Sequence, residues 1–352
     1  MHHAKTSSLH RARRPGAPPR VALRLWAACA LALAAALPGS ALAQQPGPAL
    51  VLDESDPIAA GFAASARAGA ARFQSEGGAA VDIQIATAAQ SEQVLRRAAD
   101  QGRFPIIAVG RSQAGAVDKV AKTYPNLRFT IVDGIVGLAN VRSIVFRREE
   151  SAYLAGFLSA RVSAAGRIGF IGGVDDAETR QVLCGFAQGA RAAKPNVELF
   201  QNMIGAPGEA AANRSAGTDL TRGQLDRGAD VVMEAARLNG VGVLRTVADA
   251  GRLAVASDID QNALFPSTML ASAVKRVDTA VLATLIAGRD GTWQPGMVTL
   301  GLKEDGVSLA LNPALQPPLA PDITQALDQR RAAIADGSLV VHDFVTDQKC
   351  QM

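Results

Sequence analysis

The sequence predicts an α/β protein of two lobes, each built on a doubly wound parallel sheet, facing each other across a ligand-sized cleft. Three observations predict it. Short apolar runs alternate with helically spaced segments along nearly the whole chain, the pattern of strand–helix–strand units. The runs are continuous rather than alternating, as strands buried on both faces require. The pattern also restarts near residue 149, giving two halves of similar size without a recognisable sequence repeat. A cleft between the carboxyl ends of two such sheets is a natural ligand site.

The first 43 residues stand apart from that fold. Lys5, Arg11, Arg13, Arg14, Arg20 and Arg24 form a basic start without acids, an apolar run covers 25–37, and Ala41-Leu42-Ala43 follows Pro38-Gly39-Ser40. This is the layout of a secretory signal cleaved before Gln44, so a periplasmic location is expected. The apolar run is shorter than the ~20 residues of a spanning helix. Cys29 lacks a good lipoprotein box and reads as a signal residue, with lipid anchoring the alternative. The chain has 36 Lys and Arg against 32 acids, and the leader's six bases leave 30 against 32. The basic balance therefore belongs to the leader and makes no case for nucleic acid or an anionic membrane. The remainder is long enough for two lobes and is expected to work as a monomer.

Taken in order, Ala49–Leu52 is a buried strand, followed by a loop with Asp53, Glu54 and Asp56 and a small-residue helix over 59–73. Strands follow at 80–86 (AVDIQIA), 104–109 (FPIIAV), 127–132 (LRFTIV) and Val141–Phe146, with helices at 90–101 and 114–124 between them. The second half has a helix at 149–162, strands at 167–171 (RIGFI), 197–203, 229–233 (ADVVM) and 253–257 (LAVAS), and helices at 178–193, 219–227 and 240–250. A polar loop spans 205–216. A strand at 268–274 (TMLASAV) precedes a helix at 276–287. The stretches 297–302 and 306–311 suggest a hairpin through Lys303-Glu304-Asp305, then a proline-rich linker, a helix at 322–336 and a last strand at 339–344. The lobes are expected to comprise 48–147 plus 270–295 and 148–269 plus 296–352.

The chemistry-bearing residues point to binding rather than catalysis. Outside the leader the only histidine is His342, so a histidine base has one candidate, and no G-x-S-x-G or GxxxxGK[ST] run occurs. The glycines of Gly166–Gly173 precede or lie inside a strand instead of opening a helix, which removes the dinucleotide reading. No metal is expected, because Cys184, Cys350 and His342 lack ligand spacing. In an exported chain those two cysteines favour a disulfide, with two free thiols as the alternative. Asp53 at a strand end and Phe62 nine residues on could hold a small polar ring, or be a turn acid and a core aromatic. Asp258 and Asp260 end an apolar strand, where two carboxylates need hydrogen-bond donors such as sugar hydroxyls. Lys275, at a strand-to-helix junction, could balance them.

The runs VLDESDPIAAGFAASARAG, AVDKVAKTYPNLRFTIVDG, EESAYLAGFLSA, GRIGFIGG, GADVV, SDIDQ, SAVKRVDTAV and LGLKEDGV occur in one order. In this the chain resembles the basic membrane protein family, substrate-binding proteins of ABC transporters that include purine nucleoside receptors, over about residues 49–345. The resemblance implies a type I periplasmic binding fold with a three-segment hinge, no catalysis and no cofactor, a nucleoside-like ligand and an ABC permease as partner. It further implies that Asp53 and Phe62 line the site, with Phe62 stacking on the base, and that Asp133 and the Asn239-Gly240 turn join them. Asp258, or in its place Asp260, would contact the ribose, and Lys275 matches the lysine of SxxKRVD. Three departures fall on the base side: Ala63 follows the aromatic, Met233 stands where a second aromatic is common, and Arg237-Leu238 replace glycines. A sensory role beside a membrane receptor is the alternative to transport.

Overall fold

The computed structural model describes residues 46–206 and 215–350. The expected leader, Cys29 and most of the loop at 205–216 lie outside the described residues.

The opening unit shows how sequence becomes structure. Strand β1 (Ala49–Leu52) is buried along its length, and helix α1 (Pro57–Ser75) follows a four-residue loop. The Asp56 carboxylate accepts the N–H groups of Ile58 and Ala59, both at 2.8 Å. Pro57 takes the first helical position, where its missing N–H is no loss. The first half continues with β2 (Asp82–Ile85), α2 (Ser91–Asp100), β3 (Ile106–Val109), α3 (Ala114–Thr123), β4 (Phe129–Val132) and β5 (Val141–Phe146). The second half runs α4 (Arg148–Val162), β6 (Arg167–Val174), α5 (Ala177–Ala193), β7 (Glu198–Gly205), α6 (Ala216–Asp226), β8 (Val231–Ala235), α7 (Gly240–Asp249) and β9 (Leu253–Asp258). Then come β10 (Met269–Lys275), α8 (Val277–Arg289), β11 (Gly296–Leu300), β12 (Val307–Leu311), α9 (Pro321–Asp336) and α10 (Phe344–Asp347).

These strands form two six-stranded sheets. The first has the order β11-β5-β4-β3-β1-β2 and is parallel throughout; the second has the order β12-β10-β9-β8-β6-β7, with β12 alone antiparallel. The two doubly wound lobes are as expected. Helix α4 is buried on all sides, as a helix without a polar face must be. It packs backbone to backbone on α5: a Cβ on Gly156 would lie 1.9 Å from the Phe186 carbonyl oxygen, and one on Gly189 1.9 Å from that of Tyr153.

Four expectations are corrected. The hairpin over 297–311 does not form: β11 pairs with β5 in the first sheet and β12 with β10 in the second. A strand–turn–strand pattern leaves the partner unspecified, and here the turn carries the chain between lobes. Strand pairing also assigns 269–275 to the second lobe and 296–300 to the first, reversing the expected boundaries at those two strands. The stretch expected as a strand at 339–344 stays irregular up to α10, because Gln188 satisfies its backbone. Gln188 Oε1 accepts from the His342 N–H and its Nε2 donates to the His342 carbonyl, both at 2.9 Å. Finally, β6 extends to Val174; Gly172 is no turn glycine, since a Cβ there would meet Met203 Sδ at 2.2 Å.

The chain thus crosses between lobes three times, at 146–148, 275–277 and 300–307. Backbone bonds stitch the crossings together, Arg147 N–H to Leu300 O at 2.9 Å and Arg276 N–H to Gly306 O at 2.8 Å. The Cys184–Cys350 disulfide is formed and ties the tail to α5. Among the described residues, no helix is long and apolar enough to cross a membrane.

Candidate functional site

The carboxyl ends of the strands meet at the crossings, and with them a set of charges. Asp133 leaves β4 of the first lobe, Asp258 ends β9 of the second, and Lys275 ends β10. Lys275 Nζ donates to Asp133 Oδ1 at 2.7 Å and lies 3.2 Å from Asp258 Oδ1, so one buried ammonium bridges the two lobes. Arg148, the first residue of α4, reaches the same Asp258 oxygen with Nη2 at 3.1 Å. Burial alone would raise the Asp258 carboxyl; Arg148, Lys275 and Arg237 outweigh it and hold that group well below the usual carboxylate range. Three of the five non-glycine residues with positive φ among the described residues are here, Asp133 at 62°, Arg237 at 47° and Asp258 at 70°. Backbone strain of this kind collects where side chains must be aimed.

A cavity of about 420 Å³ opens beside this cluster. Its wall takes Arg111 and Ser112 from the end of β3, Arg148 from the first crossing, and Glu178, Arg237 and Asp258 from the second lobe. Ser112 Oγ donates to Asp53 Oδ2 at 2.9 Å, and the Ser55 N–H donates to Asp53 Oδ1 at 2.9 Å. Burial works against ionisation of Asp53, but the bonds from Ser55 and Ser112 prevail and lower its pKa. Glu178 pairs with Arg111 and lies 3.6 Å from Arg148, joining the second lobe to the first.

The sequence-derived candidates separate into those the fold brings together and those it does not. Asp133, Asp258 and Lys275 form one cluster at the cleft, and Asp53 stands apart from it, bonded to Ser55 and to Ser112 of the cavity wall. Phe62 lies at the first-lobe side, 4% exposed, with Lys275 Nζ 5.2 Å from its ring centroid. The start of α1 approaches the second lobe here, since a Cβ on Gly61 would lie 2.6 Å from Ile259 Cδ1. Asp260 is exposed and only accepts the Asn262 N–H at 3.0 Å as a turn residue. Met233 is fully buried in the second-lobe core. Strand β8 ends at Ala235, two residues later than expected, and the cavity wall takes residues 235–239 in place of Met233. Gly240 is required by Glu234: a Cβ would meet Glu234 Oε2 at 2.6 Å.

Sequence reasoning missed Arg111, Arg148, Glu178 and Glu234. Each of the first two stands two residues past a strand end, close to the signal that singled out Asp53 and Asp133. Glu234 is wholly buried, and accepts from the Ala236 N–H at 2.9 Å, the Ser257 N–H at 3.1 Å and Gln261 Nε2 at 3.1 Å. Burial, with Asp258 nearby, pushes its carboxyl up to about 7 against those bonds.

Comparison with known proteins places this arrangement. Residues 49–337 match the family described as PnrA-like ABC transporter substrate-binding proteins. Basic membrane protein D of Borreliella burgdorferi (strain JD1) is 32% identical over 199 residues, 54% of this chain and 57% of that protein. Basic membrane protein A of Borreliella burgdorferi (strain B31) is 26% identical over 250 residues, 69% of this chain and 72% of that protein. Among solved structures, an ABC transporter solute-binding protein from Conexibacter woesei superposes with a TM-score of 0.70 at 21% identity, covering 85% of this chain and 99% of its own. One from Aeropyrum pernix gives 0.66 at 24% identity, covering 84% and 94%. These structural likenesses carry the type I periplasmic binding fold, and the family match carries more: the chain belongs to the PnrA-like family of ABC transporter substrate-binding proteins.

Proposed function

We propose that this chain is an extracytoplasmic receptor that closes its two lobes on a nucleoside-like or related sugar-bearing solute and delivers it to an ABC permease in the inner membrane. The observation that carries the reading is the Asp133–Lys275–Asp258 bridge across the crossings, beside a cavity of about 420 Å³. Ligand sites of this kind occupy about 300–1,000 Å³. Asp258 and Asp53 are ionised acceptors for ribose or pentose hydroxyls, and such charge-assisted bonds are roughly twice as strong as neutral ones. Phe62 offers the aromatic face for a base once the cleft opens. The three crossings form the hinge about which the lobes close. The chain then needs no catalytic group, and it works in the periplasm after export.

A thermal-shift screen of the chain from Gln44 onward against nucleosides, nucleobases and pentoses tests this. A solute present at 100 times its dissociation constant adds about 2.7 kcal/mol to the folded state. We expect a nucleoside to raise the midpoint and Phe62→Ala or Asp258→Ala to abolish the shift. A panel that leaves the midpoint unmoved would overturn the nucleoside reading.

A further inference from the structure

The nucleoside reading uses carboxylates and an aromatic ring; it gives three arginines of the same wall no contact with the solute. Arg111, Arg148 and Arg237 line the same cavity, and they arrive on three different elements: the end of β3, the start of α4 and the turn after β8. Among the described residues no ion pair or hydrogen bond engages the Arg237 side chain, which acts on Asp258 through its charge alone, and its backbone holds the uncommon left-handed conformation at φ 47°. Arg148 spends one nitrogen on Asp258 and turns the other toward Glu178. Asp176, Glu178 and Asp258 line the same wall, and of these Glu178 alone ion-pairs with both Arg111 and Arg148, from the first turn of α5 with 46% of its side chain exposed. It can swing into water without being buried elsewhere. A guanidinium is a planar fork suited to a two-oxygen acceptor, and a group of them is costly to bring together unless an anion joins them.

We infer that the solute carries an anionic group, held between Arg111, Arg148 and Arg237 in the place that the Glu178 carboxylate takes in this structure. This rests on the inter-lobe cavity being the solute site. The shared chemistry is a compact acceptor-only anion: a phosphate ester, or the ionised ring of an oxidised purine. Arg237 sets the preference for charge, and Glu178 competes with the ligand for the same donors. The base-side departures of the sequence acquire a reason here, because the replacement at 237 installs a cation at the cavity wall.

Calorimetric titration of the chain from Gln44 onward with three neutral–anionic pairs tests it: adenosine and adenosine monophosphate, hypoxanthine and urate, ribose and ribose 5-phosphate. In at least one pair the anionic member should bind roughly tenfold tighter or more, as expected for bonds to a charged acceptor. Arg237→Gln should erase most of that preference. Glu178→Gln should tighten the anionic member several-fold, a gain that misfolding cannot imitate. Preference for the phosphorylated members assigns a phosphate ester, and preference for urate alone assigns an ionised ring. Equal or weaker binding of every anionic member, or no binding in any pair, overturns the inference, as does a loss of affinity in Glu178→Gln. Binding of adenosine while no anionic member gains over its neutral partner would leave the nucleoside reading intact while removing this one; binding of urate with no nucleoside or pentose compound bound would do the reverse.

Discussion

Lys275 shows how one side chain decides several things at once. Burying an ammonium is expensive, and burying it without partners would shift it to its neutral form. With Asp133 at 2.7 Å and Asp258 at 3.2 Å it stays paired on both sides, one partner from each lobe. Such a bridge is weak evidence for stability but strong evidence for geometry, because it is satisfied only when the strand ends are in register. Glu149 makes the opposite case. It is wholly buried at the start of α4, its Oε2 accepts from Gln181 Nε2 at 2.8 Å, and its Oε1 has no hydrogen-bond partner, with Arg147 Nη1 3.8 Å away. Burial, helped by the nearby Asp343, pushes its carboxyl up to about 8 from an ordinary value of 4.5. The folded state therefore holds a proton that the unfolded chain releases, so stability is fully present below about pH 4.5 and is lost as pH rises through 8. Glu149→Gln should remove that slope and exceed the wild type at pH 8 by about 1–3 kcal/mol, the usual cost of an uncompensated buried polar group. Urea denaturation of both proteins between pH 5 and about pH 8 checks it; parallel curves would mean that Glu149 is ionised in the fold.

At the scale of elements, α4 and α5 carry the second lobe. Their glycines let two backbones touch, so volume rather than polarity limits substitution there. Gly156→Ala forces a Cβ to within 1.9 Å of a carbonyl oxygen and should cost about 2–3 kcal/mol. Gly223 lies inside α6 with open space where a Cβ would go, so Gly223→Ala should instead gain about 0.5–1 kcal/mol by restricting the unfolded chain. Denaturant midpoints of the two variants, moving in opposite directions, are the check. The sheets were legible because parallel strands buried on both faces are written as unbroken apolar runs. Their partners were less so: 297–302 and 306–311 read as neighbours because nothing in a strand's own residues says which sheet it joins. The stretch at 339–344 read as a strand for the same reason, and a distant glutamine answers its backbone instead.

For the molecule as a whole, the charges at the crossings stand beside the cavity, so the proposed hinge and the proposed site share residues. Glu178 against Arg111, and Lys275 against Asp133, both join one lobe to the other. Asp53, Asp133, Asp258 and Lys275 were legible because each stands at or directly after a strand end within a recognisable run. Arg111 and Arg148 stand in equivalent places but lie outside the runs that drew the eye, and Glu178 sits on a helix whose approach to the first lobe is set only by tertiary packing. Met233 misled because the end of β8 falls two residues further on. Hydrogen exchange on the chain from Gln44 onward, with and without the solute found by screening, tests the inter-lobe cleft most directly. Slowed exchange should concentrate at the strand-end loops 53–56, 111–113, 175–179, 236–239 and 258–262. Protection centred instead on the groove between α4, α9 and β12, around Leu154, Leu309 and Leu327, with those loops unchanged, would contradict it.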